Sequence, residues 1–412
     1  MKKRSQLSTQ NLKNHKIFEK DIIIFDTFYL LRIISISIIT TLILIIFWQF
    51  TKLILQQQLN TKNQVKSTKI TINSSNNFGS QNHEQQVVTK SPSILSSEAL
   101  NTEKLVYNFK LRPQLRNSQD LQKIVDQVVN IASNKSLPTT SLSITLIDLE
   151  TGEEASYQQE EPRYPASVVK LYWLVMLQAQ LEQKNTIEDK SLSLELEKMI
   201  KKSDNEAASR ILDRITKTES GSNLNPKELQ HWLDKREQTN QFFTNAGYGN
   251  LNISQKTFPI PYLKLYSPQG RELQMRKNLD KPIRNKITTK ETSRLMYEIV
   301  NQQAVSPNKS KIMLDLLSID ASTRINKRYD KNPNTFNSVR GFFSQSLPHD
   351  IYFAAKAGWT SELRGETAYI ATKDRKTEYI LTILAEDSSY AYNWDIFSEM
   401  SQLIFNKMKV RK

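Results

Sequence analysis

Along this chain the hydrophobic positions change period several times, and each change predicts an element. The first is a block from Ile33 to Phe50 (IISISIITTLILIIFWQF), 18 residues without a charge. That is about the shortest run able to span a bilayer, and it predicts one transmembrane helix. It exceeds a typical signal-peptide core, and no small-residue cleavage site follows it. From Gln56 to about Glu103 large apolar residues become scarce among Gln, Asn, Ser and Thr, which predicts a disordered tether. Leu105, Tyr107, Phe109 and Leu111 then alternate like a short strand. In SQDLQKIVDQVVNIAS, Leu121, Ile124, Val125 and Val128 form one helical stripe. Leu142, Ile144 and Leu146 alternate again, and Glu150-Thr151-Gly152 turns the chain into a hairpin.

Between Ser167 and about Lys327 the period is mostly helical, with starts at Asn225-Pro226 and at Thr288, where Glu291 has capping-box spacing. Strands return in DIYFAAKAGW and in ETAYIATKDRKTEYILTILAED, which turns at Asp374 to Lys376. A closing helix uses Trp394, Phe397, Met400 and Ile404. This order predicts an α+β protein of two lobes. Terminal helices cover one face of an antiparallel sheet, and the long helical insert forms the second lobe. Residues 1–32 are then a basic segment, 33–50 the transmembrane helix, 51–103 the linker and 104–412 the folded domain.

Charge adds an orientation. Lys2, Lys3, Arg4, Lys13, Lys16, Lys20 and Arg32 precede the span, against Glu19, Asp21 and Asp26. The positive-inside rule keeps this end in the cytoplasm and sends the chain after Lys52 across the membrane. The absence of cysteine is compatible with an oxidising compartment. A net charge of +15 is scattered, without an aromatic-basic RNA motif or zinc-finger spacing, so it points to anionic lipid or wall polymer rather than nucleic acid.

The candidate chemistry lies in RYPASVVKLYWLVMLQAQ. Pro165 fits a helix start, so Ser167 and Lys170 share one face a turn apart. A serine hydroxyl needs a neighbouring base to become a nucleophile, and a desolvated lysine can serve. Alone, Ser-x-x-Lys reads more simply as a helix cap followed by a surface lysine. Two further stretches change its weight: Ser203-Asp204-Asn205 at a helix start, and Lys356-Ala357-Gly358 at the end of an apolar strand. A Ser-His-Asp arrangement through His349 lacks the elbow that exposes such a serine, and no phosphate-binding glycine loop is present.

These three motifs, in this order, resemble the serine β-lactamase and penicillin-binding protein superfamily, and class A β-lactamases within it, over roughly Leu115 to Phe405. The resemblance implies a site in a cleft between two lobes, with no metal or organic cofactor. It implies Ser167 as the acylated nucleophile, Lys170 as its base and Ser203 as a proton relay. Asn205 would hold Lys170 and the substrate amide, and Lys356, with Gly358 beside it, would supply charge at the substrate. The backbone N–H groups of Ser167 and Trp359 would form the oxyanion hole. Arg364 resembles the arginine that pairs with a substrate carboxylate, although an exposed loop arginine is an equal reading. The implied substrates are β-lactams or D-Ala-D-Ala-type stem peptides.

Three departures stand out. Ala357 replaces the usual hydroxyl of the third motif, for which Thr360 or Ser361 can substitute. The interval from Ser167 to Ser203 is short, which predicts a trimmed helical lobe and a more open cleft. Glu272 falls near the place of the water-positioning glutamate, but Arg276 stands where an asparagine is expected. Glu272 is therefore either that base or a solvated loop acid.

Overall fold

The computed structural model describes residues 107, 112–184, 189–277, 280–325 and 341–411. The chain divides into Met1–Ser97 and Glu98–Lys412, and every described residue belongs to the second unit. The predicted transmembrane helix and tether lie outside the described residues, as does the predicted Leu105–Leu111 strand apart from Tyr107. Among the described residues no helix is long and apolar enough to cross a membrane.

A six-stranded sheet of order β1-β3-β2-β6-β5-β4 organises the domain. Its strands are β1 (Arg116–Asn117), β2 (Leu142–Asp148), β3 (Glu153–Tyr157), β4 (Tyr352–Thr360), β5 (Leu363–Ala371) and β6 (Glu378–Ala385). The sheet differs from the fully antiparallel one expected. β1 adds to β3 in parallel through two exposed residues, too short and too polar to show strand periodicity. Every residue of β2 and of β5 is buried, because helices cover both faces.

One face carries α1 (Gln119–Asn134) and the closing helix, α8 (Ile396–Val410), as the sequence predicts for the terminal helices. Leu121, Val125 and Val128 of α1 meet Phe397, Met400 and Ile404 of α8 in one cluster with Leu146 and Leu381 of the sheet. On the other face packs the helical lobe: α2 (Lys170–Glu182), α3 (Lys190–Lys201), α4 (Asn205–Thr216), α5 (Pro226–Asn245), α6 (Thr289–Val300) and α7 (Pro307–Leu317). Leu171, Leu174 and Val175 of α2 join Leu295, Ile299 and the sheet residues Ile147 and Ile380 there. Tyr107, expected in a strand, instead sits against Phe242 and Phe243 at 5.4 and 5.9 Å and donates to Glu298 at 2.5 Å.

The predicted helix starts hold for local chemical reasons. Asn225 accepts from Glu228 N at 3.0 Å with Pro226 at the first helical position, and Thr288 accepts from Glu291 N at 3.1 Å. α2 has no polar face: Leu171 through Ala179 are all buried, because the helix runs through the middle of its lobe.

Candidate active site

The Ser-x-x-Lys motif departs from the first α-helical turn expected. Ala166–Val169 form a 3-10 turn that runs into α2 at Lys170. Residues three apart eclipse in that geometry, so Lys170 lies directly beneath Ser167, with Nζ 3.0 Å from Oγ. Ala166, the residue before the serine, has a positive φ of 44°. Such a conformation in a non-glycine residue costs on the order of 1–3 kcal/mol and is retained where surrounding packing enforces it. Gly358 of β4 supplies part of that packing. A Cβ there would stand 2.7 Å from Pro165 O and 2.8 Å from Ser167 N, so only glycine lets the strand approach the serine backbone this closely.

Ser203 closes α3 in a left-handed conformation, φ 52°, and Asp204 then caps α4 by accepting from Ala207 N at 2.7 Å. This tight junction brings both polar groups of Ser203 to the lysine. Lys170 Nζ donates to Ser203 O at 2.6 Å, lies 3.4 Å from Ser203 Oγ, and is 2.7 Å from Asn205 Oδ1. From the sheet, Lys356 Nζ reaches Ser203 Oγ at 2.9 Å and the carbonyl of Ala357 at 3.0 Å. Ser203 thus bridges the two amines.

Both lysines are buried. Burial, followed by the charge of Lys356, holds the Lys170 amine well below its ordinary range. Burial pulls Lys356 down to about 7, opposed by Glu366. A neutral amine beside a serine hydroxyl can take its proton, and a second amine linked through a hydroxyl can return one.

The outer edge of β4 supplies backbone donors. The carbonyl of Phe353 turns away from β5 to accept from Ile319 N at 2.9 Å. The register with β5 continues without a bulge, so Ala355, Ala357 and Trp359 present their backbone groups to the same edge. Trp359 N–H therefore points outward one residue past Gly358, the position at which an added Cβ would stand 2.8 Å from Ser167 N. Two such donors can stabilise a developing oxyanion.

Two expected site residues are placed elsewhere. Arg364, expected on a loop before a substrate carboxylate, is the second residue of β5 and fully buried. Its guanidinium donates to Ala391 O at 2.7 Å and Trp394 O at 3.2 Å, and lies 4.5 Å from the Phe342 and Trp394 rings. Strand periodicity turns it to the face covered by α8, away from Lys356. Glu272 is bonded to neither Ser167, Lys170 nor Lys356, and it is buried rather than a solvated acid. Its carboxylate receives Arg236 at 2.7 Å and Ser220 at 2.8 Å, with Lys256 at 3.8 Å. The buried guanidinium of Arg236 holds it there. Thr360 Oγ1 accepts from Glu362 N at 3.2 Å, which caps the turn after β4, and Ser361 is exposed.

Glu366 was not singled out from sequence, although a carboxylate in an apolar strand was a visible signal. It is buried, accepts from Phe342 N and Phe343 N at 2.8 and 2.7 Å, and burial pushes its carboxyl up to about 7.

The profile of the β-lactamase enzyme family matches residues 120–408. No curated protein matches the chain. Among solved structures, the β-lactamase of Sphaerobacter thermophilus DSM 20745 is similar at 13% identity and a TM-score of 0.48, covering 70% of this chain and 98% of its own. The structure of PBP-A is similar at 16% identity and 0.47, over 73% and 99%. The class A β-lactamase of the last common ancestor of Gram-negative bacteria, in a mutant form, is similar at 14% and 0.47, over 70% and 100%. At these scores the assignment rests on the family profile, which spans more than half of the chain. The chain belongs to the β-lactamase enzyme family, within the superfamily of serine β-lactamases and penicillin-binding proteins.

Proposed function

We propose that the protein is an acyl-serine enzyme that opens β-lactams or cleaves D-Ala-D-Ala-type amides and releases the acyl group slowly, as a penicillin-binding protein does. The observation that carries this reading is the surroundings of Lys170. Its amine meets Ser167, Ser203 and Asn205, and among the described residues no carboxylate is bonded to it or to Ser167. Lys170 takes the proton of Ser167 as Oγ attacks the carbonyl carbon. The oxyanion forms against Ser167 N–H and Trp359 N–H, and Ser203, recharged by Lys356, protonates the departing nitrogen as the C–N bond breaks. This leaves an acyl-Ser167 ester. Fast hydrolysis of that ester needs a base on a water molecule, and Glu272 is engaged by Arg236 instead. A fast β-lactamase is therefore the weaker reading, and a catalytically decayed wall-binding module is weaker still, because the Ser-Lys-Ser-Lys chain is unbroken.

The test is intact mass of the full chain with time after adding a penicillin. A one-equivalent adduct that persists for many minutes and is missing in Ser167→Ala is the expected result. Rapid loss of the adduct with product release would make the protein a β-lactamase, and no adduct at all would overturn the acyl-serine reading.

We further propose that this domain lies on the outer side of the cytoplasmic membrane, tethered by Ile33–Phe50. The support is the uncharged run and the basic residues before it. External protease added to intact spheroplasts should degrade residues 104–412. Full protection until the cells are lysed would reverse the topology.

A further inference from the structure

α4 begins beside Lys170, at Asn205, and ends about 17 Å away at Thr216. Where it ends, a groove of about 690 Å³ opens between it, α5 and the short turn Arg271–Gln274. Glu228, His231, Trp232 and Lys235 recur at helical spacing and turn one face of α5 to this groove. Its floor is apolar. Trp232 is 6% exposed, with Nε1 donating to Glu219 O at 3.0 Å, and half-buried Leu224 lies with it.

The rim is positive. Arg214, Lys217, Lys235 and Arg271 line it, each at least partly exposed. Asp213, Glu219 and Glu228 oppose them, but Asp213 is already shared by Arg236 at 3.0 Å and Lys256 at 2.5 Å. That leaves four cations against two acids. The end of α4 does not absorb this charge, because Thr218 N donates to Asp213 O at 3.0 Å and Gln180 Nε2 to Ile215 O at 2.8 Å. Arg271 is held across the neighbouring loop. Its Nε donates to Ser222 O at 3.2 Å, and a Cβ at Gly221 would stand 2.9 Å from its Nη2, so the missing side chain makes room for the guanidinium.

We infer that this groove binds one strand of an extended polyanion that carries phosphate groups. The inference goes beyond the acyl-serine reading and does not depend on it. The cations stand on three separate segments around one groove, which suits successive charges along a chain better than one small anion. Lysine offers point charges and arginine forked donors, and phosphate oxygens accept from both. A flat lipid surface cannot follow the groove down to Trp232, whereas a single strand can lie in it. The excess of 57 basic over 42 acidic residues in the chain attracts such a polymer from a distance.

The experiment is a footprint of the full chain in neutral detergent, by lysine acetylation read by mass spectrometry. Short-chain polyphosphate should slow acetylation of Lys217 and Lys235 at least about threefold and leave Lys373 and Lys376, on the exposed turn between β5 and β6, as they were. Lys217→Glu with Lys235→Glu should weaken polyphosphate binding about tenfold, the scale of two part-exposed ion pairs reversed in sign. Lys373→Glu with Lys376→Glu makes the same change in net charge and should weaken it less than about twofold. Equal losses in the two variants, or uniform protection of all these lysines, would reduce the effect to general charge and overturn the groove. Equal protection by inorganic phosphate at the same phosphate concentration would overturn the extended ligand. Phosphatidylglycerol added to the micelles should leave Lys217 and Lys235 reactive; protection by it alone would make this face a membrane contact instead. None of these readouts uses Ser167, so they stand or fall apart from acylation.

Discussion

Lys170→Met should lower the rate of Ser167 acylation by about 10²–10⁴-fold, the usual loss when a positioned base is removed. Methionine keeps most of the apolar stem and removes only the amine, so the helix around it stays packed. The melting temperature should hold or rise, because the variant no longer buries a group whose charged form is poorly solvated. Acylation by Lys170→Met within about tenfold of the unmodified protein would remove Lys170 from the mechanism.

The same pair of amines sets the pH profile. At low pH both carry a proton and no base is available. Acylation rises as Lys170, held well below its ordinary range by burial, gives up its proton, and falls again as Lys356 loses its charge near 7. Lys356→Arg keeps that cation, so its alkaline limb should lie at least about one pH unit higher. For stability the sign is opposite to that of a lysine gaining a partner. Lys356 binds its proton less tightly folded than unfolded, so a destabilising contribution is fully present below about 7 and fades as pH rises toward the ordinary 10.5.

Arg236→Leu should destabilise the domain by about 3–5 kcal/mol, the cost of leaving a buried charge without its partner. Arg236 is fully buried and donates to Glu272 at 2.7 Å, Asp213 at 3.0 Å, Thr218 at 2.7 Å and Ser254 O at 3.1 Å. Its removal leaves two carboxylates facing Lys256 alone. Lys256 lies 2.5 Å from Asp213, yet burial still pushes Asp213 up and Lys256 down from their ordinary values. Desolvation therefore outweighs attraction in this pair, and the network contributes geometry more than net stability. It follows that Arg236→Leu with Glu272→Leu should recover much of the loss. Urea denaturation decides it: a loss under about 1 kcal/mol in the single variant, or a double variant no better, would refute this account.

The local grammar was readable from one sequence. The helical stripe of α1, the Asn225 and Thr288 caps and the hairpin at Gly152 depend on periodicity and on single-residue chemistry, and each appears where expected; the strand through Gly358 runs on to Thr360, and the closing helix starts at Ile396, after Trp394. So does the meeting of Ser167, Lys170, Ser203, Asn205 and Lys356, because the motifs carried a resemblance to a known family. What failed were residues whose surroundings are distant in sequence. Arg364 reads as a loop cation until α8 covers it, and Glu272 reads as a free acid until Arg236, 36 residues earlier, meets it.

The sequence by itself determined the α+β class, the order of elements, the residues able to form a serine-lysine relay, and the charge pattern around Ile33–Phe50. These follow from the period of burial and from the intrinsic chemistry of side chains. Only the tertiary structure decided which charges are solvated and which are locked together. Burial and pairing come from packing between remote segments, and a lysine becomes a base, or a glutamate a mere counter-ion, through what surrounds it.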